Sequence, residues 1–502
     1  MKTISDSEKV ISSNGKSNGS VKIVKSKKIN WEYSKSVEDS KHIKLKDQYD
    51  LFIGGKWIKT KKYFSTVNPA TEEVIARVAY ASDDDVTKAV KMAKNAYDKT
   101  WSKMPPKERS KYIFRIARII QEKAREFAVI ESMDGGKPIK ESKSVDVPLA
   151  LAHFFYYAGW ADKLDYAFPG RKVSPIGVAG QIIPWNFPLL MAAWKIAPAL
   201  ACGNTVVIKS AETTPLTLYK LAEVIQEAGL PDGVVNIISG DGKTGAAIVR
   251  HPDTKKIAFT GSTEVGKLIM RQTAGTDKKL TLELGGKAAN IVFEDAPIDA
   301  AIEGIINGIY FNQGHVCCAG SRLLVQESIK DIIIKKLKHR LSTLRVGDPL
   351  DKNTDVGAIN SSMQLKKITE LVNAGISEGA TIFQSNCELP SKGYWFKPTF
   401  FSDVAQSHRI ANEEIFGPVL SILTFRTPSE AVEKANNTFY GLSAGIWTDK
   451  GSKIFKTLSK IRAGVVWSNT FNKFNPASPF GGYKESGFGR EGGKQGLDGY
   501  VI

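Results

Sequence analysis

The chain has 502 residues, 42% of them apolar, and a formal net charge of +18 at pH 7. This length suffices for two or three domains with sizeable cores. No stretch approaches 18 uninterrupted apolar residues, so we expect no membrane span, and no apolar segment with a cleavage site follows the first lysines, so we expect no signal peptide. The four cysteines form neither a CxxC pair nor a disulfide framework, which favours reduced thiols in the cytoplasm.

About a third of the excess charge lies in residues 1–46, which carry eleven lysines and five acidic residues. The segment is also rich in Ser and Asn and poor in apolar residues, so we predict a mostly disordered tail. Basic tails bind phosphate backbones without sequence preference. No interleaving of basic and aromatic residues marks an RNA-binding module, however, and a solvated tail is the preferred interpretation over a nucleic-acid partner.

The folded part begins near Leu51. The stretch "DLFIGGKWI" predicts an edge hairpin with Gly54 and Gly55 at its turn, and "VNPATEEVIARVA" predicts a second strand pair. Apolar spacing predicts helices over 84–100 and 106–133. Strands are then predicted at 175–184, 205–210, 233–239, 256–261 and 279–286, with helices of about ten residues between them. This alternation predicts a parallel sheet covered by helices on both faces, which is a Rossmann-like domain.

A second α/β series follows residue 286. A strand at "ANIVF" leads to a helix over 297–310 and then to the loop "FNQGHVCCAGSR", which holds two of the four cysteines. The series continues with a strand at "RLLVQ", a helix over 328–344 and strands at "VLSILTF", "AGIWT" and "AGVVWSNT". The chain finishes in a glycine-dense segment.

One candidate nucleotide site is "FTGSTEVG", residues 259–266, which follows a strand and opens a helix. Helix N-termini bind anions through free backbone N–H groups and the helix dipole. Ser262 adds a hydroxyl donor, and Gly261 and Gly266 permit a close approach of the backbone to a ligand. The alternative is an ordinary strand-to-helix turn, because the pattern is not GxGxxG.

Two further polar residues stand at the ends of predicted strands. Two prolines fix the backbone around Asn186 in "PWNFP", and an amide held this rigidly can donate to a developing oxyanion. Glu283 in "LELGG" occupies an otherwise apolar strand, where a buried carboxylate is costly without a partner or a task. The alternative for Asn186 is a capping residue in a tight turn, and the alternative for Glu283 is a salt-bridged strand residue.

The paired cysteines complete the set. A cysteine is usually an inert small hydrophobe, but here the thiols lie in a loop whose glycines predict adaptable backbone. Asn, Glu and Cys supply an oxyanion donor, a base and a nucleophile. With a nucleotide site added, the set is chemically complete for oxidising an aldehyde through a thioester.

From about Asp50 to Tyr500 the chain resembles the NAD(P)-dependent aldehyde dehydrogenase superfamily. Six motifs occur in that family's order: "GQIIPWNFPLLMAAWK", "FTGSTEVG", "LELGGK", "FNQGHVCCAGSR", "EEIFGPV" and "SPFGGYKESGFGRE". The resemblance implies oxidation of an aldehyde to a carboxylate with NAD⁺ through a cysteine hemithioacetal and thioester. It divides the α/β chain into an NAD-binding domain over 47–286, with 150–175 part of an oligomerisation element, a catalytic domain over 287–480 and a C-terminal oligomerisation end over 481–502.

The resemblance also implies the site residues. The family's Gly-Gln-x-Cys pattern makes Cys317 the nucleophile, with Asn186 as oxyanion donor and Glu283 as base. Ser262 holds the pyrophosphate, Lys209 and Glu212 the adenine ribose, and Glu414 and Phe416 the nicotinamide end. The full cofactor set is Ile182, Ile183, Pro184, Trp185, Lys209, Glu212, Gly261, Ser262, Val265, Gly266, Leu284, Glu414 and Phe416. The aldehyde set is Phe187, Met191, Trp194, Val316, Cys318, Phe474 and Phe480.

Three features refine the implied enzyme. His315 stands where the family usually has Gln; it either tunes the neighbouring thiol or merely packs, and packing is preferred. Glu212 would repel a 2′-phosphate, so NAD is expected over NADP. The link over 164–174 is too short for the family's projecting hairpin, and the chain stops at "DGYVI", so we expect a homodimer rather than a tetramer.

Alternatives remain at this stage. One is an enzyme that transfers the acyl group to coenzyme A, against which Glu283 argues, and another is a catalytically weak homologue that binds nucleotide. We expect no metal. The aromatic and apolar tunnel positions suit uncharged aliphatic or aromatic aldehydes, and no arginine clamp for a carboxylated aldehyde is apparent.

Overall fold

A computed structural model describes residues 34–502, so most of the predicted tail lies outside the described residues. Residues 36–502 form one compact unit. The last part of the predicted tail contacts this unit: Val37 pairs with Asp351, and Glu38, only 4% exposed, forms ion pairs with Arg125 and Lys352. Opposite charge therefore holds a segment whose composition alone predicts disorder.

The strands of the described chain are, in order, Gln48–Tyr49 (β1), Leu51–Ile53 (β2), Lys56–Ile58 (β3), Tyr63–Asn68 (β4), Glu73–Ala79 (β5), Val178–Ile182 (β6), Thr205–Lys209 (β7), Val235–Ile238 (β8), Thr254–Thr260 (β9), Lys279–Glu283 (β10), Ala289–Val292 (β11), Arg322–Gln326 (β12), Thr381–Gln384 (β13), Thr399–Ser402 (β14), Val419–Phe425 (β15), Tyr440–Gly441 (β16), Ser443–Trp447 (β17), Val465–Ser468 (β18), Tyr483–Lys484 (β19) and Gly487–Phe488 (β20).

The α-helices are Asp83–Ala96 (α1), Pro106–Glu122 (α2), Ala124–Gly135 (α3), Ile139–Glu141 (α4), Val147–Trp160 (α5), Leu164–Ala167 (α6), Pro188–Ala201 (α7), Leu216–Glu227 (α8), Gly242–Arg250 (α9), Thr263–Thr273 (α10), Ile298–Ile309 (α11), Lys330–Leu341 (α12), Ser362–Ser377 (α13), Arg409–Asn412 (α14), Pro428–Asn436 (α15) and Gly451–Leu458 (α16). None of the helices within 34–502 is both long and apolar enough to cross a bilayer.

The first large sheet has eight strands in the order β20-β10-β9-β6-β7-β8-β2-β3. Strands β6 to β10 are parallel to one another, and the predicted hairpin β2–β3 closes one edge, with β2 antiparallel to β8. At the other edge β20, from the glycine-dense end of the chain, pairs antiparallel with β10. The Rossmann-like architecture is thereby confirmed, and the end of the chain is brought to the strand that carries Glu283.

The second large sheet has seven strands in the order β13-β14-β15-β12-β11-β17-β18. All neighbours are parallel except β13, which runs antiparallel to β14. The change of sheet along the chain falls between Glu283, where β10 ends, and Ala289, where β11 begins. Strands β4 and β5 pair as predicted, and β1 joins them in a small third sheet.

One segment differs from the sequence prediction. The single helix predicted over 106–133 is broken at Lys123, whose φ of −98° and ψ of 16° lie outside the helical region. The short link over 164–174 holds only the one-turn helix α6. Its end pairs with the C-terminus of the same chain, where Ser174 and Ile502 exchange two backbone hydrogen bonds of 3.0 and 2.9 Å.

Candidate active site

A cavity of about 270 Å³ lies where the carboxyl ends of β6, β9 and β10 meet the loop that precedes β12. Parallel sheets bind ligands at this edge, since the loops that leave the strands diverge there. Asn186, Glu283 and Cys317 all line the cavity. The three residues predicted to carry the chemistry are therefore brought together, although 131 positions separate Asn186 from Cys317 in the chain.

The loop before Cys317 begins with a left-handed turn. Asn312, Gln313 and Gly314 have φ of 48°, 53° and 75° in succession, a conformation that costs non-glycine residues about 1–3 kcal/mol each unless the surroundings enforce it. A Cβ on Gly314 would collide with the carbonyl of Gly417, so only glycine fits the last position.

Hydrogen bonds hold this turn from three sides. The Asn312 N–H donates to the buried Glu141 carboxylate at 2.8 Å, and the Asn312 side chain donates to the Asn186 carbonyl at 2.9 Å. Gln313 donates to the Ala358 carbonyl at 3.0 Å. The loop is thus buried and fixed, whereas its glycines had suggested adaptable backbone.

Cys317 is partly buried in the cavity, and Cys318 is 1% exposed. Contact with Cys318 and burial raise the pKa of the Cys317 thiol well above its usual value. The Cys318 thiol points to the Asn472 side-chain oxygen, 3.7 Å away. Cys317 is therefore the cysteine of the pair that faces the cavity with Asn186, while Cys318 is anchored against its wall.

The Asn186 amide nitrogen donates to the His315 carbonyl at 2.7 Å. A primary amide has two N–H donors, so this bond fixes the side chain and leaves one N–H for the cavity. Asn186 is 8% exposed. It follows the end of β6 and precedes α7, whose first residue Pro188 prevents any alternative helical start.

Glu283 is 3% exposed, and neither of its carboxylate oxygens has a hydrogen-bond partner among the described residues. Burial raises its pKa well above the usual range, and the neighbouring Glu491 raises it further. A raised pKa makes the Glu283 carboxylate a stronger base than an exposed one. The salt-bridged alternative for Glu283 is wrong.

Two residues beside Glu283 were not predicted from the sequence. The Lys195 ammonium, fully buried on α7, donates to Glu491 at 2.5 Å and to Thr260 at 2.7 Å. Glu491 also lines the cavity. The only sequence signal for Lys195 is a lysine inside the apolar helix "PLLMAAWKIAPALA", because a buried lysine requires a partner.

His315 is 1% exposed and uses both ring nitrogens. Nδ1 lies 2.8 Å from the Phe416 carbonyl, to which it donates as the neutral tautomer, and Nε2 accepts the Asn360 N–H at 3.4 Å. The ring stacks on Phe416 at 5.7 Å and meets the edge of Trp185 at 4.8 Å. Burial lowers its pKa to about 3. His315 therefore packs as a neutral ring, in agreement with the preferred interpretation.

The opposite half of the cavity is suited to a nucleotide. Ser262 caps α10, and Gly261, Ser262 and Gly285 line the cavity beside the free N–H groups of this helix. A Cβ on Gly285 would lie 2.7 Å from a carboxylate oxygen of Glu414, and Glu414 accepts the Gly286 N–H at 2.9 Å. The helix N–H groups suit a phosphate, and the Glu414 carboxylate suits a hydroxyl donor such as that of a ribose.

Lys209 and Glu212 lie beside each other after β7. Their ammonium and carboxylate groups are 3.3 Å apart; Lys209 is buried and the Glu212 side chain is 47% exposed. Burial lowers the pKa of Lys209. A ligand that reaches this point meets the carboxylate first.

Most of the predicted contact residues line the cavity. On the cofactor side these are Pro184, Trp185, Gly261, Ser262, Leu284, Glu414 and Phe416, and on the aldehyde side they are Phe187, Met191, Trp194, Val316, Cys318, Phe474 and Phe480. Those outside its lining are Ile182, Ile183, Lys209, Glu212, Val265 and Gly266. Within residues 34–502 no group of three or more His, Cys, Asp or Glu could hold a metal ion.

Two parallel sheets, with a thiol, an amide and a buried carboxyl group around one cavity, define an α/β enzyme. The aldehyde dehydrogenase family profile matches residues 57–502. An aldehyde dehydrogenase of Alternaria alternata is 46% identical over 463 residues, covering 90% of this chain and 93% of the relative. Human retinal dehydrogenase 2 is 46% identical over 465 residues, covering 90% of each chain.

Among solved structures, the NAD⁺ complex of an aldehyde dehydrogenase from Bacillus cereus has a TM-score of 0.89 and 42% identity, covering 92% of this chain and 98% of that chain. This chain belongs to the aldehyde dehydrogenase family. It is an enzyme that oxidises aldehydes with NAD(P) as acceptor.

Replacing His315 by Gln should make the protein less sensitive to acid. Because the folded pKa of about 3 lies below the unfolded value of about 6.5, protons bind the unfolded state preferentially as the pH falls below 6.5. The wild type therefore loses about 2 kcal/mol of unfolding free energy through His315 at pH 5. Thermal midpoints at pH 7.5 and 5 should show a smaller drop for H315Q. The exposed His339, changed to Gln, is the control, and equal drops in H315Q and wild type would contradict the assignment.

Proposed function

We propose that Cys317 attacks the aldehyde carbonyl and that Asn186 and the Cys317 backbone N–H hold the resulting oxyanion. The observation that carries this is the convergence of the thiol, the fixed amide and the unpartnered carboxyl group on one cavity. In the described chain the Cys317 N–H makes no other hydrogen bond, so it is free to serve as the second donor.

The proton balance follows from the charges. The thiol has a raised pKa in the free protein, so it must lose a proton to become a nucleophile, and Glu283 lies within the same cavity to accept it. A nicotinamide cofactor held beside Ser262 and Glu414 would supply the acceptor for the hydride of the aldehyde C–H bond. The enzyme is then left as a thioester on Cys317.

Hydrolysis completes the turnover. Glu283 first passes the proton taken from the thiol to the buried Lys195–Glu491 pair, whose carboxylate keeps one oxygen without a partner among the described residues. It then takes a proton from water, the hydroxyl oxygen adds to the thioester carbonyl, and the C–S bond breaks as Glu283 returns this proton to the departing sulfur. The carboxylic acid and the free thiol are released. Overall, aldehyde, NAD⁺ and water give carboxylate, NADH and two protons.

The cofactor preference rests on Glu212. A carboxylate at the position that matches the adenine ribose accepts a hydrogen bond from a 2′-hydroxyl and repels a 2′-phosphate. Lys209 is close to it but buried and paired, so its charge is already offset by Glu212. NAD is therefore preferred over NADP.

The subunits associate as a homodimer in our proposal. The segment over 164–174 and the C-terminus pair with each other, which leaves few backbone groups for a sheet shared between subunits. By contrast α10 exposes Val265 and Leu268, which lie one turn apart on the same face, by more than 40% each. An apolar helix surface of this kind is suited to a partner.

We further propose that the enzyme acts in the cytoplasm, as its cysteine use suggests. Two relatives carry "mitochondrial" in their names, a benzaldehyde dehydrogenase of Antirrhinum majus and an aldehyde dehydrogenase of Arabidopsis thaliana. Cell fractionation of the full chain distinguishes the two locations.

Changing Cys317 to Ala should reduce aldehyde oxidation to the uncatalysed background, because the other thiol of the cavity lining, Cys318, is only 1% exposed and points to the Asn472 side-chain oxygen. The neighbouring Cys318 is the matched control, since C318A removes a buried wall contact and should keep activity within about tenfold. NADH absorbance at 340 nm measures both. Steady-state turnover of C317A at the wild-type rate would refute the assignment of the nucleophile.

Changing Glu283 to Gln should separate the two half-reactions. NADH should appear in a burst of one equivalent per active subunit, and steady turnover should then fall by about 10²–10⁴-fold, because thioester hydrolysis loses its base. Stopped-flow absorbance resolves the burst. If added coenzyme A cleaved the thioester as fast as water does in the wild type, the result would instead favour acyl transfer to coenzyme A.

The ratio of kcat/KM for NAD over NADP should exceed one and should fall in E212Q, because the carboxylate that repels the 2′-phosphate is gone. Glu122, exposed at the end of α2, gives the control variant E122Q with an unchanged ratio. A wild-type ratio that favours NADP would contradict the proposed preference.

Light scattering should give a mass near twice 55.0 kDa across a dilution series. Introducing a charge on α10 through L268E should shift the mass toward the monomer, whereas I332E on the exposed face of α12 should not. A mass near four times that of the chain would show that the short link over 164–174 does not prevent tetramer assembly.

A further inference from the structure

Five charged residues within the described chain line the cavity, and four of them are accounted for. Glu491 pairs with Lys195, and Glu283 has a raised pKa in its buried place. Glu414 binds the Gly286 N–H and has Lys367 among its nearby charges, on the cofactor side. The fifth is Lys473.

Lys473 has an exposed side chain whose ammonium makes neither a hydrogen bond nor an ion pair within residues 34–502. It lies in the loop after β18 that also lines the aldehyde side of the cavity through Asn472 and Phe474. On this side it is the single charged group that no protein partner neutralises.

The loop fixes the place of Lys473. Its carbonyl accepts the Trp467 indole N–H at 2.9 Å, and the preceding Asn472, with φ of 53°, donates to the Asn307 carbonyl at 2.9 Å. Asn472 also accepts a hydrogen bond from the Cys318 thiol, and the ring of Phe474, which follows Lys473, packs against Trp467 with centroids 5.6 Å apart. Lys473 therefore stands between the wall beside the nucleophile pair and the aromatic wall.

The walls between Lys473 and Cys317 are apolar. They are formed by Val145, Leu149, Phe187, Leu190, Met191, Trp194, Phe311, Val316, Phe474 and Phe480. An aldehyde with an apolar body would bury that body here, while a charged far end would reach water and the ammonium. Asn307 and Asn472 add polar side chains beside it, both engaged in hydrogen bonds with the loop.

We infer that Lys473 selects aldehydes that carry an anionic group, such as a carboxylate, at the end remote from the carbonyl. This inference rests on the proposed function, because it takes Cys317 as the point of attack. It also revises the expectation of uncharged substrates, which rested on the aromatic tunnel positions alone. Since the contact is remote from the reacting bonds, it strengthens binding of substrate and transition state equally.

The test compares kcat/KM for matched neutral and anionic aldehydes: benzaldehyde with 4-carboxybenzaldehyde, and straight-chain aldehydes with ω-carboxylated ones of equal length. For at least one length of the apolar body, the wild type should have the higher kcat/KM with the anionic aldehyde of the pair. In K473Q the anionic-to-neutral ratio should fall on the order of tenfold, mostly through KM, and in K473E it should fall further. K473R should keep the preference, and added NaCl should reduce it in the wild type but not in K473Q.

The exposed Lys335 on α12 provides the matched control, because K335Q removes the same charge far along the chain from the cavity residues and should keep the wild-type ratio. Equal ratios in wild type and K473Q, with both aldehyde classes oxidised, would overturn the inference and leave the proposed function standing. Absence of oxidation with every aldehyde in the wild type would overturn both.

Discussion

The burial of the Glu283 carboxyl group without a hydrogen-bond partner among the described residues is the constraint on which the site depends. An ionised carboxylate in such a place costs several kcal/mol, so burial favours the protonated form and makes the carboxylate a stronger base. The Lys195–Glu491 pair stands beside it with its own charges balanced. The protein thus surrounds a proton-accepting group with a neutral environment. Such an environment suits a base that must accept a proton and release it again in each turnover.

Both ends of the fold are needed to build this environment. Glu283 ends β10 of the first sheet, Lys195 lies on α7, and Glu491 arrives from the last residues of the chain. The pairing of β20 with β10 brings that last segment into place, with Leu282 opposite Phe488 and Glu283 opposite Gly487. The glycine-dense finish of the sequence is explained by this crowding, because a Cβ on Gly481 would lie 2.9 Å from a Glu283 oxygen.

The sequence was a good guide where periodicity or a motif carries the structure. The alternation of short Val- and Ile-rich strands with helices predicted β6 to β10 within a few residues. The family motifs singled out Asn186, Glu283 and Cys317, which the fold places around one cavity. The Lys195–Glu491 contact could not be found in this way, because 296 residues separate the partners. Each is the last residue of one of the quoted family motifs, but neither motif indicates that the two side chains meet. The break at Lys123 was missed since both flanking segments have good helical spacing, and only tertiary packing decides where they part.

The left-handed turn before Cys317 shows why local composition misled us about the loop. Glycines beside a cysteine suggest freedom, yet here Gly314 serves a conformation that Asn312 and Gln313 must share at a cost in free energy. Bonds to Glu141, Asn186 and Ala358 offset that cost, and His315 extends the network to Phe416 through its neutral ring. The amide of Asn186 and the backbone of Cys317 are therefore fixed relative to each other before any substrate binds. Donors arranged in advance need not reorganise as charge develops on the substrate oxygen, so the strain carried by Asn312 and Gln313 helps to hold the donors in place around Cys317.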